Sequence, residues 1–252
     1  MSEDEHPPTQ PDSEKHDPGA LGVRAEALPP LPDDLLTRPD AAHLDPRAWF
    51  LHPDRPFEIE IGCGKGTFLL NQASAESATN FLGIEYAGEY WAYTGDRCRR
   101  AGLTNVRVLY ADAVDFVRWR VPDSIVRVIH LYFSDPWPKR RHHKNRVVQD
   151  RFLRDCWRVL VPAGELRIVT DHEEYWEWMQ EKFAKVAQGP GALFERLEFE
   201  TPAAAREGEL VGSNFERKYR REGRPFYSCR LRRLESVPTE PTHATNRAGS
   251  VP

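Results

Sequence analysis

The sequence predicts an α/β protein with a doubly wound, mostly parallel sheet and an antiparallel edge. Three observations predict it. Short apolar runs rich in β-branched residues alternate with segments of helical periodicity from Phe57 onward. Acidic residues recur at or near the carboxyl ends of those runs (Glu60, Glu85, Asp112, Asp135, Asp171). A glycine-rich turn, Gly62-Cys63-Gly64-Lys65-Gly66, follows the first run, where such a sheet binds ligands.

The elements follow in order. Phe57–Ile61 reads as a strand, the glycine turn follows, and Thr67–Ala75 reads as a helix. Asn80–Glu85 is a strand and Glu89–Ala101 a helix. Val106–Tyr110 is a third strand. Val126–Phe133 is a fourth, apolar enough to be buried on both faces. Val148, Phe152, Cys156 and Val159 fall at helical spacing and predict a helix over Val147–Leu160. Pro162-Ala163-Gly164 reads as a turn, Glu165–Thr170 as a strand and Glu173–Ala187 as a helix. Phe194–Glu200 and Phe226–Leu234 complete the set, both expected antiparallel to the rest.

Composition sets the boundaries. The chain has 252 residues, 40% hydrophobic and 29% charged, with net charge −4. Residues 1–18 hold six acids, one lysine and four prolines, so the remainder is slightly positive. Eleven of 21 prolines precede Phe57. These features predict a disordered or loosely attached acidic, Pro-rich arm over 1–45, a domain over 46–235 and a disordered tail over 236–252. The four cysteines are far apart and form no metal-ligand pair, which predicts free thiols, no metal site and a reducing compartment. No run is long and apolar enough to span a membrane, so the expectation is a cytoplasmic protein without a membrane partner.

The chemistry concentrates in Phe133-Ser134-Asp135-Pro136-Trp137-Pro138 and the basic run that follows, with five Lys and Arg between Lys139 and Arg146. Each proline biases the residue before it toward extended backbone, so Asp135 and Trp137 are expected out of helix. A carboxylate, an indole and a polyanion-binding cluster thus stand together at a strand end. The glycine turn has Thr67 where a dinucleotide fingerprint needs Gly or Ala. A phosphate-free ligand such as S-adenosylmethionine suits it better. Glu85 is then placed for ribose hydroxyls and Asp112 for an adenine amine. The plain alternatives are that each acid caps the next helix and that Asp-Pro makes a turn. A second basic segment (Arg217, Lys218, Arg220, Arg221, Arg224, Arg230, Arg232, Arg233) is expected to join the first in one phosphate-binding face. Trp176 and Trp178 read as packing residues.

From Phe57 to Leu231 the chain resembles the bacterial tRNA (guanine-N7)-methyltransferases. The resemblance is carried by Glu60-Ile61-Gly62-Cys63-Gly64-Lys65-Gly66, Phe81-Leu82-Gly83-Ile84-Glu85, Phe133 through Lys144, and Ser213-Asn214-Phe215-Glu216. It implies a Rossmann-like methyltransferase sheet and S-adenosyl-L-methionine as cofactor, held by Glu60, Gly62, Gly64, Glu85, Asp112 and Asp135. Asp135 is then catalytic. The substrate is tRNA, modified at guanine 46 of the variable loop. Its contacts are Lys139, Asp171, Ser213, Asn214, Phe215 and Glu216, with Arg141, His142, His143, Lys144, Asn145 and Arg146 facing RNA. Ser213 and Asn214 replace Thr and Lys of many members, which leaves those two contacts open. No obligatory protein partner is evident in the sequence, and the expectation is a monomer or homodimer. Two other readings stand beside it. One is an amino-group methyltransferase of another substrate, which carries a related Asp/Asn-Pro-Pro-Tyr motif. The other is a non-catalytic RNA-binding protein on the same scaffold.

Overall fold

The computed structural model describes residues 16–235. An eight-stranded sheet forms its centre: β1 Gly22–Arg24, β2 Phe57–Ile61, β3 Asn80–Glu85, β4 Val106–Tyr110, β5 Val126–Tyr132, β6 Leu160–Thr170, β7 Phe194–Leu197 and β8 Tyr227–Arg233. The helices are α1 Thr67–Ala75, α2 Gly88–Arg100, α3 Ala113–Trp119, α4 Asp150–Val159, α5 Glu173–Ala187 and α6 Asn214–Arg221. The strand order is β1-β4-β3-β2-β5-β6-β8-β7. Strands β1 to β6 pair in parallel. Strand β8 runs antiparallel to β6, and β7 antiparallel to β8. Only β8 therefore runs against the others, which corrects the expectation that both late strands do.

The sheet reverses its winding between β2 and β5. At that switch point the loops leaving the two strands diverge and open a crevice. Central strands explain the apolar runs: all five residues of β2 are buried, as are five of the six in β3. The largest core cluster gathers Ile59, Leu82, Ile129, Phe152, Ile168, Tyr175 and Phe183 from strands and helices. Burying a residue of that size fully contributes about 1.5–3 kcal/mol.

Three short elements were not anticipated. β1 has three residues, too few to show alternation, and α3 and α6 are short. Each helix is started by a side chain: Asp112 accepts from the amides of Val114 (2.8 Å) and Asp115 (3.0 Å), and Ser213 accepts from that of Glu216 (3.1 Å). α4 begins at Asp150 rather than Val147, and β6 starts at Leu160. The expected turn at 162–164 survives as an irregularity within β6, with Ala163 at φ 60°.

The boundary at residue 46 also needs correction. Residues 1–15 and 236–252 lie outside the described residues, but 16–45 are seated on the domain. Gly22–Arg24 pairs with Val108–Tyr110 at the sheet edge. Arg99 donates to the Asp17 carbonyl (2.9 Å), and Arg120 to that of Pro29 (2.6 Å). Arg24 lies 4.3 Å over the Trp91 ring. Proline-rich composition masked these contacts because they are made by backbone groups and single side chains, not by a periodic apolar face.

Candidate active site

A cavity of about 420 Å³ fills the crevice at the switch point. It gathers Gly62 and Gly64 after β2, Glu85 at the end of β3, Asp112 after β4, Phe133, Asp135 and Trp137 after β5, and Phe215 from α6. Parallel strands with their carboxyl ends on one edge bring these distant residues together.

The glycine turn is a built cradle. Gly62, Gly64 and Gly66 all have positive φ (71°, 51° and 65°). A Cβ on Gly66 would lie 2.2 Å from Thr94 Cγ2, so only glycine fits there. A Cβ on Gly62 would meet no protein atom within 4 Å, and Gly62 lines the cavity, so its backbone is open to a ligand. Gly64 is clamped from both sides: its amide donates to Glu85 Oε2 (2.7 Å), and its carbonyl accepts from Thr94 Oγ1 (2.7 Å).

The five strand-end acids have different fates. Glu60 does not line the cavity. It is buried beneath the turn with Oε2 lacking a hydrogen-bond partner, and burial, reinforced by the Glu85 charge, raises its carboxyl well above the usual range. Glu85 also accepts from the amides of Tyr86 and Ala87, both at 2.9 Å. Burial raises its carboxyl, and those backbone donors oppose the rise. Asp112 caps α3, so the capping alternative holds for it, yet it also faces the cavity. Asp171 is tied to Arg224 (2.8 Å). Asp135 is exposed at the cavity mouth and, among the described residues, has neither hydrogen-bond nor ion-pair partner.

Strained backbone frames Asp135. Phe133 has φ 56° and Trp137 φ 44°. Trp137 is thus left-handed, not extended: the restriction imposed by Pro138 yields to the tight path of the loop. Each such residue costs on the order of 1–3 kcal/mol and persists only where packing holds it. Phe133 is held against Phe215, Tyr219 and Phe226 at ring separations of 6.4, 5.8 and 5.6 Å. Trp137 stands edge-on to His142 at 5.8 Å.

Below the cavity wall runs a buried polar chain that sequence reading missed. His130 bonds the Tyr132 hydroxyl through Nδ1 and Glu58 Oε2 through Nε2, both at 2.8 Å. Arg127 Nε donates to Glu58 Oε1 (2.8 Å). Burial works against the Glu58 charge, but these donors outweigh it and hold the carboxyl below its usual value. The signal was present: two glutamates in an otherwise apolar strand beside a histidine in another.

The basic loop divides. Lys139, Arg140, Arg141, Lys144 and Asn145 are exposed, and among the described residues no carboxylate comes within 4.0 Å of its four cations. His142 and His143 are half-buried, His143 lying 3.4 Å from Glu174 and edge-on to Trp178. Arg146 cannot face RNA. It is 2% exposed, donates to the Pro136 carbonyl (2.7 Å) and Glu174 (2.9 Å), and lies over the rings of Tyr175 and Trp178. It pins the loop.

Glu216 is likewise internal. Fully buried, it accepts from the amides of Leu210 (2.5 Å), Val211 and Gly212 (2.8 Å each) and from Arg220 (2.7 Å), so it organises the segment instead of touching a substrate. Ser213 is buried as the cap of α6, while Asn214 and Phe215 are exposed. The second basic segment is largely neutralised where it stands, although Arg221 is exposed and has no carboxylate within 4.0 Å among the described residues. Arg217, Arg220, Arg224, Arg230 and Arg232 are all paired with carboxylates at 2.5–3.0 Å. Because β8 is antiparallel, Tyr227 lies opposite Thr170 and Arg232 opposite Glu165, so its arginines run away from the cavity edge. Trp176 and Trp178 pack as expected, Trp176 stacked on Tyr227 and Trp178 bonded to the Val148 carbonyl. No described helix is long and apolar enough to cross a membrane.

Comparison with known proteins is consistent with this arrangement. Residues 54–229 match the family described as "Putative methyltransferase". The chain is 32% identical to the tRNA (guanine-N(7)-)-methyltransferase of Oceanobacillus iheyensis over 177 residues, 70% of this chain and 80% of that protein. It is 29% identical to the protein of the same name from Streptococcus thermophilus over 201 residues, 77% of this chain and 92% of that one. A third of that name, from Halorhodospira halophila, is 39% identical over 124 residues, about half of each (49% and 54%). Among solved structures, the aminoglycoside resistance methyltransferase NpmB1 shares the fold, with a TM-score of 0.50 at 18% identity over 84% of this chain and 98% of that one.

Proposed function

This chain belongs to the tRNA (guanine-N(7)-)-methyltransferase family, and we propose that the guanine it modifies is number 46, in the variable loop. It transfers a methyl group from S-adenosylmethionine to N7 of guanine in tRNA. The crevice suits that cofactor on three counts: an open glycine backbone at Gly62, carboxylates at Glu85 and Asp112, and an apolar wall from Ile61, Ile84 and Val114. Glu85, Asp112 and the Gly62–Gly64 backbone would hold it, with Glu60 buried beneath. When bound, it supplies an electrophilic methyl group on a sulfonium.

The chain's own residues do the rest. Guanine N7 carries an in-plane lone pair and no proton, so transfer needs alignment and no strong base. Asp135, the acceptor without a partner at the cavity mouth, orients the guanine edge and offsets the positive charge that the purine gains. That single observation carries the reading. Trp137 and Phe215 flank the opening as aromatic surfaces for the base. Lys139, Arg140, Arg141 and Lys144 neutralise phosphates beside it. The enzyme works in the cytoplasm, as a monomer or homodimer, without an obligatory protein partner or metal.

Mapping the methylated atom on bulk tRNA tests this. The expected product is N7-methylguanine at position 46. Methylation of an exocyclic amine, or none, overturns it.

A further inference from the structure

A second cleft opens on the far side of Trp137. It encloses about 650 Å³ between α3, the basic loop and the start of α4, and shares Tyr86, Asp112 and Trp137 with the first cavity. Its cations are Arg118 from α3, Lys144 and Arg146 from the loop and Arg151 from α4, of which Arg146 is already bound to Pro136 and Glu174.

The other three are not neutralised as those of β8 are. Arg118 lies 4.0 Å over the Trp119 ring, and Arg151 lies 5.8 Å from the same ring. Among the described residues Arg118 has no carboxylate within 4.0 Å, and its buried Nε has no hydrogen-bond partner. Arg151 reaches Asp155 only at 4.0 Å. Burial and the neighbouring Arg151 charge lower the Arg118 pKa and outweigh the opposing pull of Asp155 and Asp115, so two guanidinium groups repel each other in a partly desolvated place.

The start of α4 adds to this. Its first residue is Asp150, and the preceding Gln149 does not cap it, because the Gln149 amide donates backward to the carbonyls of His143 (2.9 Å) and Arg146 (3.1 Å). No side chain therefore caps the first helix amides, and the Asp150 carboxylate beside them is held by Lys182 and Lys185 (3.0 Å each). Three acids share the cleft. Asp112 is engaged in capping α3, Asp155 is raised by burial, and Asp115 is exposed. None bonds Arg118.

We propose that this cleft binds a backbone phosphate of the tRNA, one flanking the target guanine, through Arg118, Arg151 and the amino end of α4. The inference rests on the tRNA reading and extends it. A target base in the first cavity and a neighbouring phosphate in the second would sit on opposite sides of Trp137. A phosphate between the two guanidiniums relieves their repulsion.

The test is a tRNA-binding titration by fluorescence anisotropy over a range of salt, comparing wild type with Arg118→Gln/Arg151→Gln. Calorimetry with S-adenosylmethionine runs alongside. The double variant should bind tRNA about tenfold more weakly near 0.15 M salt, with a log–log salt slope smaller by about one. Cofactor affinity and melting temperature should hold. Arg118→Lys/Arg151→Lys keeps both charges and should restore most of the slope. An unchanged slope with intact cofactor binding would place the cleft off the RNA path. Loss of cofactor binding or of the melting transition would make the two arginines structural and equally overturn the proposal. Binding is read without catalysis, so a wild type that binds tRNA but makes no N7-methylguanine defeats the enzymatic reading and leaves the cleft standing.

Discussion

The loop Lys139–Lys144 and the segment Arg217–Arg233 carry the same kind of charge, but carboxylates pair most of it in the second and none of it in the first. In the loop, four cations stand without a carboxylate near them. In the later segment, Arg217 meets Glu209, Arg220 meets Glu216, Arg224 meets Asp171, and Arg230 meets both Glu165 and Glu200. Where both partners are exposed such pairs add about 0–1 kcal/mol to stability, and all of them weaken the field that would attract a polyanion. Available charge depends on pairing and strand direction, neither of which a count of arginines contains.

The largest expected effects test whether the loop is the working edge and the later segment the structural one. Asp135→Ala, at the head of the loop, should lower methyl transfer by roughly 10²–10³-fold or more with melting temperature unchanged. Near wild-type turnover would reduce Asp135 to a turn residue. Glu216→Ala should do the reverse. It strands the amides of Leu210, Val211 and Gly212 together with Arg220, and should cost about 3–5 kcal/mol in chemical denaturation. A variant as stable as wild type would mean the carboxylate is not the organiser of residues 210–212.

Smaller effects compare the two segments directly. Arg141→Ala/Lys144→Ala should reduce the salt slope of tRNA binding by about two units. Arg230→Ala/Arg232→Ala removes equal charge and should leave the slope unchanged. Equal slopes for the two double variants would erase the distinction. The smallest effect belongs to deletion of residues 1–15, which hold five acids and one lysine. Thermal stability and cofactor affinity should not change, and tRNA affinity at low salt should hold or rise slightly. The cut stops before His16 because Asp17 and Pro18 hold α2: Arg99 bonds the Asp17 carbonyl, and a Cβ on Gly95 would collide with Pro18 at 2.4 Å. A clear fall in melting temperature would give the acidic segment a structural part.

Sequence made the central sheet legible where burial is strong and local. β2, β3, β4, α1 and α5 begin and end where their apolar patterns say. The cavity was legible because strand direction alone brings Gly62, Glu85, Asp112 and Asp135 to one edge. What stayed hidden depends on partners distant in the chain. Arg146 reads as one more basic loop residue until Glu174 and two rings enclose it. Glu216 reads as a surface acid until the preceding backbone wraps it. Trp137 reads as extended because the proline rule is local, whereas its φ is set by a loop packed at both ends. Arg118 and Arg151 gave no signal, lying singly on helices whose apolar faces dominate the pattern.

The position of β8 also fixes a timetable. It is the last described strand to leave the ribosome, yet it lies between β6 and β7 in the sheet. β7 can find no partner until residues 227–233 exist, and at about 5–20 residues per second the stretch from Leu197 to Tyr227 takes roughly 2–6 s to make. Through that interval the free side of β6 presents an unpaired edge, the kind of surface that recruits strands from other chains. Phe226, which braces Phe133 beside Asp135, arrives at the end of the same interval. A nascent chain therefore carries its cofactor crevice well before it can brace its catalytic loop, and premature termination before Tyr227 leaves a product that is both sticky and inactive.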